Sequence, residues 1–156
     1  MRAEPLYRAT WTTPEAWTVE LAGEHGGSEA RSFFVAEGRT HGRLSARLRA
    51  ANYPRRRIDG TLVPEFRGVL ETDDGATIMY QWEGYARLGD DGTRELVGAI
   101  RHETDDERYR WLNDRIGTVV GEVRSDGRGG FEVVVEVRDL AWEPLDDQVA
   151  GEPVST

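Results

Sequence analysis

The sequence predicts an all-β fold, a closed antiparallel β-barrel of about eight to ten strands, on three observations. Turn signals recur at short intervals, at Gly26-Gly27, Asn52-Tyr53-Pro54, Asp59-Gly60, Asp73-Asp74-Gly75, Asp90-Asp91-Gly92 and Asp126-Gly127. The runs between them are rich in Val, Ile, Tyr, Trp, Thr and Phe, which suit a pleated, half-buried surface. Several runs alternate apolar and polar residues with one shared parity, so a single interior can receive the apolar set. Closure is the economical solution because it leaves no strand edge open to another chain.

In chain order, strands are expected at roughly 5–12, 16–22, 31–37, 42–50, 57–63, 65–72, 76–88, 94–103, 117–124 and 130–142. Leu44, Ala46 and Leu48 alternate with Arg43, Arg47 and Arg49. Leu96, Gly98 and Ile100 alternate with Val97, Ala99 and Arg101, and Phe131, Val133, Val135 and Val137 with Glu132, Glu136 and Arg138. The hairpin around Asp73 admits two registers. A two-residue Asp74-Gly75 turn sets Glu71 opposite Ile78 and Arg67 opposite Trp82, mixing charge with apolar groups on both faces. A three-residue loop, with Gly75 in the left-handed bulge position, pairs Leu70 with Ile78, Gly68 with Tyr80 and Phe66 with Trp82. One face is then apolar or aromatic and the other holds Glu71, Thr77, Gln81 and Glu83. Pattern selects the second register.

One segment, near 105–115, reads as a short helix. Thr104 is placed as its N-cap with Glu107 three residues on, a capping box, and Gly117 ends the pattern. Residues 1–145 are expected to form one domain, followed by a flexible acidic tail over 146–156.

Composition narrows the chemistry. All 20 basic residues are arginine and cysteine is absent. These absences exclude Schiff-base lysines, thiolate nucleophiles, disulfides, cysteine metal sites and a Walker-type phosphate loop. The net charge of -9 opposes phosphate backbones and anionic membranes, so neither nucleic acid nor membrane is an expected partner. Arg39, Arg43, Arg47, Arg49, Arg55, Arg56 and Arg57 nevertheless follow one another without an acid. They are either an anion-binding strip or the solvated face of a strand and its loop. The opening MRAEPLYRATW lacks the apolar core of a signal peptide, and no run approaches membrane-spanning length, so a cytoplasmic location is expected. His25, His41 and His102 have no metal-ligand spacing, and no glycine-rich nucleotide fingerprint occurs. Neither metal nor cofactor is expected.

The stretch LETDDGATIMYQWEG, followed by RHETDDERYRWLN and a Val-rich final strand, resembles the bacterial and fungal family called domain of unknown function 3237. The resemblance covers about residues 35–140 and is most specific at the T-D-D-G hairpin and at Glu103, Thr104, Tyr109, Trp111, Leu112 and Asn113. It implies an antiparallel β-barrel with one helix and no general activity. Before the E-T pair this chain has His102 where the family more usually has an aromatic residue, and its Leu88–Glu95 connection is short. Small barrels of this shape are also similar to cyclases of natural-product pathways, at the level of fold alone.

His102 is the sharpest candidate for chemistry. Its parity places the imidazole inside with Leu96 and Ile100, where a neutral histidine serves as acid or base near pH 7, or is simply structural. Asp139 shares the parity of Phe131 through Val137 and is expected to orient the ring, with the Tyr80 hydroxyl as a further donor. Trp82, Phe66, Leu70, Ile100 and Trp111 are expected to hold a ligand or to fill the barrel, with Trp111, Leu112 and Tyr109 plugging one end. Glu71 and Glu83 fall on the opposite, solvated face rather than forming a glycosidase pair. The expected function is a cofactor-free cyclase or isomerase that encloses an apolar or aromatic substrate and acts by shape and acid/base placement. An arginine of the Arg43–Arg57 strip would meet a carboxylate or enolate oxygen at the mouth. The alternative is a non-catalytic carrier or sensor barrel. A homodimer is expected from sparse charge on the last strand.

Overall fold

Ten strands form one antiparallel sheet that closes on itself in the computed structural model, which describes residues 1–22 and 28–145. They are β1 (Arg2–Ala22), β2 (Ser28–Gly42), β3 (Ala46–Asn52), β4 (Arg55–Arg56), β5 (Leu62–Val63), β6 (Glu65–Thr72), β7 (Thr77–Leu88), β8 (Arg94–Glu103), β9 (Ile116–Ser125) and β10 (Phe131–Ala141). The ring runs β1-β10-β9-β8-β7-β6-β3-β2 and returns to β1. The small β4–β5 ribbon joins β2 to β7 and extends the wall past the ends of β3 and β6. The expected all-β barrel is therefore the observed one. The Gly26-Gly27 turn, His25 and the 146–156 tail lie outside the described residues. Among those described, no helix is long and apolar enough to cross a membrane.

Three elements differ from expectation, each for a local reason. The strands expected at 5–12 and 16–22 are one strand, β1. Thr12 pairs with Glu37 and Glu15 with Val35, so Thr13 and Pro14 together oppose Ala36. This is a bulge, the position in a sheet that tolerates a residue without an N–H, and the strand bends there instead of ending. The segment 57–63 supplies only β5, because Arg57 N–H bonds the Thr61 carbonyl at 2.9 Å and turns the chain. The helix shrinks to a single 3-10 turn at Arg110–Leu112. Thr104 does not form the capping box. Its hydroxyl donates to the Thr77 carbonyl (2.7 Å), while the Asn113 amide brackets the Thr104 backbone with two 2.9 Å bonds. Such side-chain bonds to backbone compete with helical ones.

The Asp73 hairpin has the three-residue register: Leu70 opposes Ile78, Gly68 opposes Tyr80 and Phe66 opposes Trp82. Gly75 takes φ +94°, the conformation the bulge requires. Leu44, Leu70 and Ile78 are wholly buried, whereas Glu71 and Glu83 face solvent. Gly68 has a different task. A Cβ there would lie 2.6 Å from both the Tyr80 ring and the Arg49 carbonyl, so its hydrogen makes room for the ring.

Beyond Trp11, β1 loses β10 and pairs with β2 alone, while β2 stays paired on its other edge with β3 and β4. The outward face of this part of β1 and β2 exposes Trp17, Val19, Leu21 and Phe33. The outer face of β10 is crossed by ion pairs of Glu136 with Arg8 (3.7 Å) and Arg138 (2.6 Å).

Gly68→Ala should destabilise the fold by about 1–3 kcal/mol through overpacking against Tyr80. Urea unfolding of the two proteins measures it, and coincident midpoints would show that the ring is not confined there.

Candidate functional site

The interior is divided across its height by side-chain size. In the half towards the Leu88, Arg94, Ser125 and Phe131 strand ends, small residues such as Ala36 and Ala86 line the wall and leave a cavity of about 820 Å³. Its wall is mostly apolar, with Leu96, Val133 and Phe34 among its members. Trp11 and Phe66 form its floor. Phe66 meets the Trp11 ring edge-on at 5.3 Å and stacks on Trp82 at 4.4 Å with a 9° interplanar angle. Both arrangements are favoured by ring quadrupoles, so the layer is stiff as well as apolar.

Below this layer lies a set of buried polar rings. Tyr7 Oη is 2.7 Å from His102 Nε2, a buried bond from β1 to β8 across the interior. The Tyr80 ring stands 6.4 Å from the imidazole, centroid to centroid. Burial pushes His102 down to about 4, because the charged imidazolium would lose its hydration. The same desolvation holds both tyrosines above their ordinary value, with Tyr80 adding to the effect on Tyr7. At neutral pH all three rings are uncharged.

The far end is closed. Leu112 is buried there, Arg43 lies 4.5 Å over the Trp111 ring, and Tyr109 Oη donates to Asp74 at 2.5 Å.

The residues expected to act together are spread over these three levels. Phe66 lines the cavity and Trp82 backs it. Leu70 and Ile100 are core, and Trp111 belongs to the closed end. On β8, Leu96 lines the cavity but His102 lies six residues further along, which is about 20 Å of strand. Asp139 is buried but does not hold the imidazole. Its Oδ2 lies 3.4 Å from Arg115, and its Oδ1 is buried without a hydrogen bond. The arginine strip does not reach the mouth either. Arg47 and Arg49 are on the outer face of β3, and Arg57 pairs with Asp59. Among the described residues, no group of three or more His, Asp or Glu could hold a metal ion.

Of the residues expected to hold a ligand only Phe66 lines the cavity, and among those not expected there are Trp11, Asn52 and Arg94. Arg94 shares the even parity of Leu96 and Ile100, and that was the available signal. Asn52 shares the parity of Leu48 but reads as a turn residue.

The family model for Protein of unknown function (DUF3237) matches residues 1–139. The chain belongs to this family. The DUF3237 match takes in β1, which supplies Tyr7 and Trp11 to the interior, and so extends beyond the 35–140 span on which the motifs lie. The chain is similar to a β-barrel-like protein from Acinetobacter baumannii AYE, at 23% identity and TM-score 0.72 over 90% of this chain and 96% of that one. It is similar to a protein of unknown function from Clostridium acetobutylicum, at 18% identity and TM-score 0.75 over 90% and 100%. An enzyme from Penicillium herquei matches at 18% identity and TM-score 0.59 over 87% and 93%. Among curated proteins none matches.

The buried imidazole has a consequence for acid stability. Unfolded, it takes up a proton as pH falls through about 6.5, whereas folded it resists until about 4. The unfolded state thus binds more protons in that interval, and stability declines as pH falls. The contribution at neutral pH is intact, and roughly 3 kcal/mol is lost by pH 4. Unfolding free energy of the native protein should therefore fall more steeply between pH 6.5 and 4 than that of His102→Gln. Parallel curves for the two would refute the burial argument.

Proposed function

We propose that this barrel binds an apolar or aromatic small molecule in the cavity above the Trp11–Phe66 floor. The observation that carries this reading is the cavity itself: about 820 Å³, mostly apolar and floored by the Trp11 and Phe66 rings. That volume falls within the range of small-molecule sites, and a predominantly apolar lining with few polar groups is their usual composition. A barrel needing only to fold would place bulk in the upper half as it does in the lower. Ala36 and Ala86 instead keep that half empty. The rings would stack on a flat ligand and restrict its conformations.

A cofactor-free cyclisation or isomerisation is the second reading. It draws on the neutral His102–Tyr7 pair, which could accept and return a proton. An enzyme from Penicillium herquei has a barrel of this kind, which supports the compatibility of the fold with catalysis. This reading requires the substrate to pass the aromatic layer, since His102 is not on the cavity wall. Binding without chemistry needs no such movement, and it is the reading we favour.

N-phenyl-1-naphthylamine, a neutral dye that brightens in apolar surroundings, should bind one per chain. Ala36→Phe would direct a ring into the space and should weaken binding at least about tenfold while leaving the fold intact. Fluorescence titration with a parallel thermal melt measures both. Unchanged affinity in a folded variant would place the dye elsewhere and overturn the assignment.

A further inference from the structure

We propose that the ligand carries an anionic oxygen on its apolar or aromatic body, and that Arg94 and Asn52 select it. The inference rests on the binding role assigned above and goes on to name the ligand's chemistry. Arg94 is the one charged side chain among the residues that line the cavity, and no carboxylate is among them. Its parity on β8 is that of Leu96, so it faces inward at the mouth. It makes no ion pair or hydrogen bond among the described residues, in a chain with 29 acids and 20 bases. Other arginines, such as Arg39, Arg57 and Arg108, do take carboxylate partners. The Arg94 fork is thus available for two parallel N–H···O bonds to an oxyanion.

Asn52 supplies the second donor, and it is only 7% exposed. Its Oδ1 accepts the Glu65 backbone N–H at 3.0 Å, which fixes the orientation of the amide. No hydrogen bond among the described residues engages its Nδ2, which belongs to a side chain of the cavity wall. That group opens to the cavity, where an acceptor oxygen on a ligand would bond it, whereas a ligand that covered it without an acceptor would cost about 1–3 kcal/mol. Asn52 is on β3 and Arg94 on β8, three strands apart around the ring, so the two donors address the cavity from different walls. Thr13 and Ser125 add hydroxyls that donate or accept. The side chains therefore offer donors at fixed places and no fixed anionic acceptor. A cationic ligand would meet Arg94 with no counter-charge. A pure hydrocarbon would leave Asn52 unpaired.

Three probes of nearly equal size separate the possibilities: 2-naphthoate, 2-acetylnaphthalene and 2-ethylnaphthalene, each titrated calorimetrically into the whole chain. Affinity should fall in that order. Arg94→Gln should weaken 2-naphthoate about tenfold and change the neutral ketone less than about twofold. Asn52→Asp keeps an oxygen for the Glu65 N–H and removes the NH₂ donors, so it should weaken the naphthoate and the ketone but not the hydrocarbon. Should that variant fail to melt cooperatively, the Arg94→Gln comparison decides alone. Equal binding of all three probes, indifferent to Arg94→Gln, overturns the selection while leaving the cavity role in place. Failure of every probe to bind overturns both.

Discussion

Strand β1 is paired on both sides, with β10 from Arg2 to Trp11 and with β2 from Tyr7 onward, and this double pairing converts a sheet into a barrel. Because side chains alternate across a strand, closure commits every second residue to the interior. Ala9 and Trp11 enter on this rule, while Arg8 and Thr12 stay outside or at the boundary. A register shift between Pro5 and Tyr7 lets two consecutive residues, Leu6 and Tyr7, both be buried. Without that irregularity Leu6 would face solvent. The seam thus supplies the cavity floor through Trp11 and the partner of the buried imidazole through Tyr7.

The stacked rings at mid-height then separate two environments. Below them the interior is closely filled, and burial there favours neutral, hydrogen-bonded polar groups. The Tyr7–His102 bond meets that condition, and the depressed affinity of the imidazole for a proton is its cost. Above them the wall narrows to alanine, and the volume is left to something other than protein. The donors of Asn52 and Arg94 belong to this upper half. Division by residue size, rather than by any catalytic cluster, is what marks the candidate site.

The sequence made inside and outside legible, but not height. The Phe66–Trp82 pairing followed from turn chemistry plus alternation, because only one register kept charge off the aromatic face. The interior position of His102 followed from the same alternation. Yet parity is silent about which end of the barrel a residue occupies, because height is set by the stagger between strands. His102, Tyr80 and Asp139 therefore looked like one cluster and lie apart from the cavity. The break expected between 12 and 16 is a bulge at Thr13 and Pro14, because bulges leave no composition signal of their own. Thr104 matched a capping box whose hydroxyl was drawn instead to a carbonyl on the neighbouring hairpin. Arg94 was passed over because a charged residue at a strand start is normally solvated, although its parity pointed inward.

The bond between the first strand and the last also governs how the molecule comes into being. Tyr7 and Trp11 acquire their β10 neighbours only after Val133 and Val137 have been synthesised, more than a hundred residues later. Contacts so distant in sequence must close a long loop before they repay its entropy, which slows folding. The hairpins β6–β7 and β9–β10 can form early from local contacts, but an aromatic floor that spans β1, β6 and β7 cannot. During that interval β1 presents an unpaired edge and its large rings to the surroundings, the form in which nascent β-proteins are most prone to aggregate. Ring closure, which pairs the first ten residues of β1 with β10 in the finished barrel, therefore leaves a temporary edge during synthesis.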